Sequence, residues 1–284
     1  METRKLGRTG EMLSIVGFGG ILVMNEEPAK AAELVAYAVE ERGVNYFDIA
    51  PTYGNAEERL GPALEPYRDR VFLACKTGKR TAAEASTQLQ ESLDRLRTDH
   101  FDLYQLHGVV TLEEVDTITG PGGALETFIQ AREDGLIRYI GFSAHTEEAA
   151  LALMDHFPFD SVLFPFNWVS WHQNHFGPRV LAKAQELGMG ILALKALADG
   201  KWKEGEERTW SKTWYSPVQS FDEASLALRF TLSKPITAAL TPGHEQFFRW
   251  ACDIADKFTP LSPEEMQQAE QRSQQYDPIF PQQH

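Results

Sequence analysis

Four residues whose types suit acid–base chemistry stand where apolar, strand-like runs end. Asp48 and Tyr53 lie in Val44-Asn45-Tyr46-Phe47-Asp48-Ile49-Ala50-Pro51-Thr52-Tyr53-Gly54, Lys76 closes Val71-Phe72-Leu73-Ala74-Cys75-Lys76, and His107 closes Phe101-Asp102-Leu103-Tyr104-Gln105-Leu106-His107. A phenol with an ordinary pKa of about 10 is a poor acid near neutral pH unless a cation stabilises its phenolate. Lys76 has the charge for that, and a lysine at the mouth of a fold needs a counter-ion, which Asp48 supplies. His107 is suited to donate or relay a hydrogen bond to a carbonyl oxygen. Together the four describe a proton donor aimed at the oxygen of an aldehyde or ketone while hydride arrives at carbon, and no side chain carries hydride, so a cofactor is implied. Singly, each residue is more often a satisfied structural group than a catalyst, and the joint pattern carries the reading. A weaker alternative makes Lys76 a Schiff-base lysine.

For these residues to meet, the strands must deliver their C-terminal ends to one face. β-type runs near 15–17, 44–47, 71–75, 101–106, 137–141, 161–164, 190–194 and 236–240 alternate with helical patterns. The first helix opens at Pro28, carries Leu34, Val35, Ala38 and Val39 on one stripe, and stops at Gly43. Others fit 82–97, 123–134, 146–156, 178–187 and 221–233, with a last one beginning near His244. Eight parallel strands with intervening helices predict an α/β fold, a (β/α)8 TIM barrel in one domain spanning residues 1–284, with an open doubly wound sheet as the alternative. An N-terminal β-hairpin is expected from Arg4–Leu6 and Met12–Ser14, turning at Thr9-Gly10, and Ser262-Pro263-Glu264-Glu265 has the form of a capping box that opens an extra C-terminal helix. The stretch 199–216 is polar and aperiodic yet holds Trp202, Trp210 and Trp214, and a long loop after the seventh strand falls on the face of the four residues.

Composition narrows the partners. A net charge of −14 repels a phosphate backbone, so nucleic acid is not expected. No apolar run approaches the ~18 residues of a membrane span, and the start lacks the apolar core of a signal peptide, so the reading is cytoplasmic, with no membrane partner. Cys75 and Cys252 have neither disulfide nor metal-ligand spacing, and no metal site is expected.

The chain resembles the aldo-keto reductase superfamily. The resemblance rests on Gly43-Val44-Asn45-Tyr46-Phe47-Asp48-Ile49-Ala50-Pro51-Thr52-Tyr53-Gly54-Asn55-Ala56-Glu57, on Asp102-Leu103-Tyr104-Gln105-Leu106-His107, on Gly135-Leu136-Ile137-Arg138-Tyr139-Ile140-Gly141-Phe142-Ser143, and on Ala227-Leu228-Arg229-Phe230-Thr231-Leu232 leading to Thr241-Pro242-Gly243. It implies reversible, NAD(P)H-dependent reduction of a small carbonyl substrate, with Tyr53 as general acid, Lys76 and Asp48 tuning it, and His107 orienting the carbonyl. For the cofactor it implies Gly19 and Gly20 beyond the first strand, Ser143, Asn167, Leu194, Lys195, and, after the eighth strand, Gly243, His244 and Arg249. The chain departs from the family pattern at Ala144, Leu163 and Leu194, where polar or aromatic contacts to the nicotinamide are usual, and at Glu245, which opposes a 2′-phosphate. NADPH is expected, NADH is the alternative, and a catalytically weak barrel acting as a nucleotide sensor or interaction module is the alternative function. Oligomeric state is left open.

Overall fold

Eight short parallel strands close into a barrel in the computed structural model, which describes residues 1–205 and 207–280. They are β1 (Val16–Gly19), β2 (Tyr46–Asp48), β3 (Phe72–Thr77), β4 (Phe101–Val109), β5 (Ile137–Ala144), β6 (Ser161–Pro165), β7 (Gly190–Leu194) and β8 (Ala238–Leu240). Each pairs with the next, and β8 returns to β1 through Ala239 opposite Val16, so the open sheet is not formed.

Closure follows from strands that are apolar on both faces. Inward positions Tyr46, Phe72, Ala74, Leu103, Leu163, Leu192, Ala238 and Leu240 make one buried cluster. Their outward neighbours, among them Phe47, Leu73, Cys75, Tyr104, Val162, Ile191 and Ala239, join the larger core beneath the helices. The two-residue period therefore sorts every barrel strand into a filling face and a helix-packing face. Gly17 makes this possible at β1, because a Cβ there would lie 2.4 Å from the Tyr46 ring.

The hairpin forms from Thr3–Lys5 and Met12–Ser14, with a tight turn at Gly7–Thr9 between them. Leu6 leaves the strand one residue earlier than expected to plug the bottom of the barrel, fully buried against Gly190, where a Cβ would come within 2.3 Å of it. The expected helices appear as Pro28–Ala36, prolonged by a π-helical turn Tyr37–Glu41, then Ala82–Leu96, Ala124–Glu133, Glu147–His156, Pro178–Glu186, Phe221–Leu232 and Glu245–Asp256. Pro263–Ser273 follows its capping box, in which Ser262 Oγ accepts from the Glu265 N–H at 3.2 Å and Glu265 accepts from the Ser262 N–H at 2.8 Å. Three further helices, Ala56–Leu64, Leu112–Thr119 and Trp168–Asn174, were not anticipated. The first contains Gly61 and Pro62, which read as breakers; Gly61 instead lets the helix approach within 2.5 Å, from an ideal Cβ, of the Arg95 carbonyl. The other two are too short for a periodic signal.

The segment after β7 is an arm rather than a plain loop. Its ends, Ala198–Gly200 and Ser216–Pro217, pair antiparallel, and Lys212, Trp214 and Tyr215 between them reach the barrel mouth. Among the described residues no helix is long and apolar enough to cross a membrane.

Candidate functional site

Strand alternation brings Asp48, Lys76 and His107 together. They lie at inward positions near the C-terminal ends of β2, β3 and β4, and Tyr53 follows β2 on its loop. Asp48 and Lys76 form an ion pair with both side chains no more than 2% exposed. Such a pair is stable only if its remaining hydrogen-bonding positions are filled. The second Asp48 oxygen accepts from Gln105 Nε2 at 3.0 Å and from the Tyr46 hydroxyl at 3.3 Å, and Lys76 Nζ donates to the Ile49 carbonyl at 3.3 Å. Burial is the largest single influence and would lower the Lys76 pKa, but the Asp48 charge, Tyr53 and the hydrogen bond to Asp48 together outweigh it and hold the ammonium above its ordinary value. Sequence reasoning missed Tyr46 and Gln105. Each lies two residues before a residue that it singled out, hence on the same face, so the strand period held the signal.

Lys76 Nζ lies 5.3 Å from the centroid of the Tyr53 ring. Burial raises the Tyr53 pKa and the Lys76 charge pulls against it, leaving a protonated phenol at neutral pH. The His107 ring stands edge-on to Tyr53, centroids 5.9 Å apart at 89°. His107 sits on an irregularity where the β4–β5 register shifts between Leu106 and Val109, and bulges of this kind re-aim a side chain. Gly108 has φ 60° there, and its N–H donates to Ser143 Oγ at 2.7 Å. Arg80 donates to the His107 carbonyl at 2.9 Å and is itself paired with Glu114. Burial, then the charge of Lys76, lowers the His107 pKa to about 3, so the imidazole is neutral, with Nδ1 3.5 Å from the Thr52 hydroxyl.

These groups open into a cavity of about 290 Å3, whose wall includes Asp48, Tyr53 and His107. Gly19, Leu194, Lys195 and Gly243, expected around a cofactor, also line it, as does Leu163. Trp214 and Tyr215 reach it from the arm, and no sequence pattern singled out Tyr215. Gly20 lies behind the wall, where a Cβ would meet Ile49 Cδ1 at 2.2 Å. Ser143 braces the His107 bulge. Asn167 is a brace as well: its Oδ1 caps the helix Trp168–Asn174 by accepting from Val169 and Ser170, and its Nδ2 donates to the carbonyls of Lys195 and Ala198, which fills its capacity and corrects the cofactor contact expected of it.

His244 caps the helix Glu245–Asp256 without a side-chain bond to it; its Nε2 accepts instead from the Lys212 N–H at 3.1 Å, beneath Trp210. Arg249 does not line this cavity; it is bonded to Glu245 at 2.7 Å and lies over the Tyr37 ring at 4.0 Å.

Two features of this wall fit a phosphate-bearing nucleotide. Thr241 Oγ1 is buried without a partner beside Pro242 and Gly243. Behind it the helix N-terminus lacks a side-chain cap; the Phe247 and Phe248 N–H groups donate to the His244 carbonyl, and those of Glu245 and Gln246 stay available to an anion. Gly243 keeps the approach narrow, since a Cβ would lie 2.9 Å from both Ile21 and Lys212. A second cavity, of about 340 Å3, lies at the opposite, hairpin end. It is lined by charges that neutralise one another, Asp102 pairing with Arg138 at 2.6 Å and Arg68 at 3.1 Å, at the face where barrels keep stabilising contacts.

Comparison with known proteins bears on this site. A model of the aldo/keto reductase family matches residues 16–269. L-galactose dehydrogenase of Arabidopsis thaliana is 27% identical over 84% of this chain and 78% of its own length. The oxidoreductase YqkF of Bacillus subtilis, whose function is uncharacterised, is 34% identical, over 51% of this chain and 49% of its own. The matched stretch thus spans about half the length of several curated relatives, as with the B. subtilis aldo-keto reductase YhdN, at 54%. Among solved structures, the holo form of an aldo-keto reductase from Bacillus halodurans superposes with a TM-score of 0.74 at 24% identity, covering 96% of each chain, which speaks to the fold alone.

Proposed function

Because this chain belongs to the aldo/keto reductase family of oxidoreductases, we propose that it reduces an aldehyde or ketone to the alcohol with a nicotinamide cofactor, Tyr53 delivering the proton. The observation that carries the reading is the neutralised Asp48–Lys76 pair set under a protonated Tyr53, with neutral His107 edge-on to it, all at one cavity. A reduced nicotinamide supplies the hydride, hence both electrons, that no side chain can. The chain's own groups manage the oxygen. His107 keeps its uncharged imidazole for a hydrogen bond to the carbonyl oxygen, which orients the substrate without competing for the proton. As the C=O π bond opens, the Tyr53 O–H proton passes to that oxygen, and the resulting phenolate is stabilised by Lys76. Asp48 keeps Lys76 charged and fixed, while Gln105 and Tyr46 fix Asp48. Solvent then reprotonates Tyr53.

Gly19, Leu194 and Gly243, with Thr241 and the helix N-terminus behind it, would hold the cofactor. Arg249, the group expected to meet a 2′-phosphate, is paired with Glu245 at 2.7 Å, and Lys30 bridges Glu245 at 3.0 Å and Glu33 at 2.8 Å. Two cations and two carboxylates leave that patch near neutral, which supports use of NADH alongside NADPH. The apolar Leu163 and Leu194 favour a second reading, a nucleotide-binding barrel with little turnover. The test mixes the full chain with each reduced cofactor and a panel of aldehydes and ketones, following near-ultraviolet cofactor absorbance. Turnover that falls by about 10²- to 10⁴-fold in Tyr53→Phe supports the reductase reading. Tight cofactor binding with no turnover across the panel would leave only the second.

A further inference from the structure

A cation without a counter-charge stands in the cavity wall. Lys195 directly follows β7, with its backbone in the left-handed region at φ 66°. A non-glycine residue keeps that conformation only where its surroundings enforce it. The enforcement is visible: its carbonyl oxygen accepts from Asn167 Nδ2 and from the Ala198 N–H, each at 3.0 Å. The ammonium so placed lies 4.8 Å from the Tyr215 ring centroid and 5.2 Å from that of Trp214. Three other cations around the barrel mouth each have a carboxylate, Lys76 on Asp48, Lys212 on Glu26 at 2.7 Å and Arg80 on Glu114 at 3.0 Å. Among the described residues none pairs with Lys195. The histidines beside it do not change the balance: burial, then nearby cations including Lys195, lowers the pKa of His107 to about 3 and of His145 to about 4.

The cavity thus carries close to one net positive charge within a chain whose net charge is −14. The aromatic faces attract the ammonium but do not neutralise it. We propose that Lys195 receives the carboxylate of the substrate, so that the site selects aldehyde or keto acids over uncharged carbonyl compounds. This rests on the carbonyl-reducing reading of the same cavity. A carboxylate matches the single surplus charge, whereas a phosphate dianion would overshoot it, and Leu163, Leu194, Trp214 and Tyr215 offer apolar walls to the spacer between acid and carbonyl. Burial, then Lys76, lowers the Lys195 pKa to about 8, so the preference for the acid weakens as pH rises through that value.

The test compares para-formylbenzoate with its methyl ester on the full chain, as KM and kcat with either cofactor and, independently of turnover, as quenching of tryptophan fluorescence, since Trp214 adjoins Lys195. The wild type is expected to favour the acid. Lys195→Met is expected to lower the acid-to-ester ratio of kcat/KM by about 10- to 100-fold, through KM, because a contact remote from the reacting carbon binds ground and transition states alike. Lys195→Arg should restore most of the ratio, and Lys195→Gln gives the same reading as methionine if that variant unfolds. Saturable quenching by the acid, lost in Lys195→Met, supports the proposal even without turnover, which separates it from the reductase reading. Unchanged quenching and an unchanged ratio in Lys195→Met overturn it while leaving the reductase reading standing. A loss confined to cofactor affinity also overturns it, by assigning Lys195 to a cofactor phosphate.

Discussion

Replacing Lys76 by methionine isolates the electrostatic core of the proposed mechanism. Lys76 Nζ lies 5.3 Å from the Tyr53 ring centroid. At an effective dielectric of about 20, a unit charge on the phenolate at that distance is stabilised by about 3 kcal/mol, which is about two pH units in the Tyr53 ionisation. If the phenolate charge is fully developed in the transition state, kcat for carbonyl reduction falls by about 10²-fold, and by less if proton transfer is early. The pH profile gives the sharper readout. Alcohol oxidation, the reverse reaction, needs Tyr53 ionised, so its rate rises as pH passes the Tyr53 pKa. Lys76 lowers that pKa, so its removal should carry the rise upward by about two pH units. Because the single variant strands Asp48 as a buried, unpaired carboxylate, which costs about 3–5 kcal/mol of stability, Asp48→Asn/Lys76→Met serves as the folded control and should melt closer to wild type. Steady-state rates in both directions, from cofactor absorbance across pH, decide the matter. If Lys76→Met keeps kcat within about threefold and leaves the pH of half-maximal oxidation unmoved, Lys76 does not stabilise the phenolate and the reasoning fails.

Two further outcomes follow from charges elsewhere. Asp199 is 2% exposed with neither carboxylate oxygen hydrogen-bonded, and burial, then Glu223, raises its pKa to about 8. The folded value lies above the unfolded value of about 4, so the stability it contributes is fully present below about pH 4 and is lost as pH rises through about 8. Asp199→Asn should therefore flatten the fall in melting temperature between about pH 4 and 8, and an equally steep fall in the variant would remove Asp199 as its cause. At the patch beside the helix Glu245–Asp256, Glu245→Gln releases Lys30 and Arg249 from a carboxylate at 3.0 Å and 2.7 Å. At the energy of an exposed pair, about 1 kcal/mol, NADPH affinity relative to NADH should rise about fivefold in fluorescence titrations, and an equal change for both cofactors would show that this patch does not meet the 2′-phosphate.

Much of this molecule was legible in one dimension because its signals are local. A strand apolar on both faces needs cover on both, so the alternation of such runs with 3.6-period helices already pointed to a barrel. Pro28 and the Ser262 capping box marked helix starts by backbone chemistry that needs no distant partner. Asp48, Tyr53, Lys76 and His107 stood out because their chemistry is complementary and each stands at or just beyond the end of a run. Helix Ala56–Leu64 was hidden because Gly61 signals a break locally, and only the neighbouring helix explains its missing side chain.

The remainder depended on contacts that pattern cannot rank. Asn167 and Ser143 are polar residues at strand ends, as a cofactor ligand would be, yet one spends its capacity holding the Lys195 backbone and the other holds the Gly108 bulge. Nor could an aperiodic stretch reveal that Lys212 reaches Glu26 and that Trp214 and Tyr215 flank Lys195, since those contacts join segments far apart in the chain. The sequence by itself determined which chemical groups the chain carries and the barrel that gathers them, because residue type and strand period act over a few positions. Only the tertiary structure decided which charges end up paired. Pairing depends on distances across the barrel, and these leave Lys76 neutralised by Asp48 and Lys195 facing the cavity without a carboxylate among the described residues.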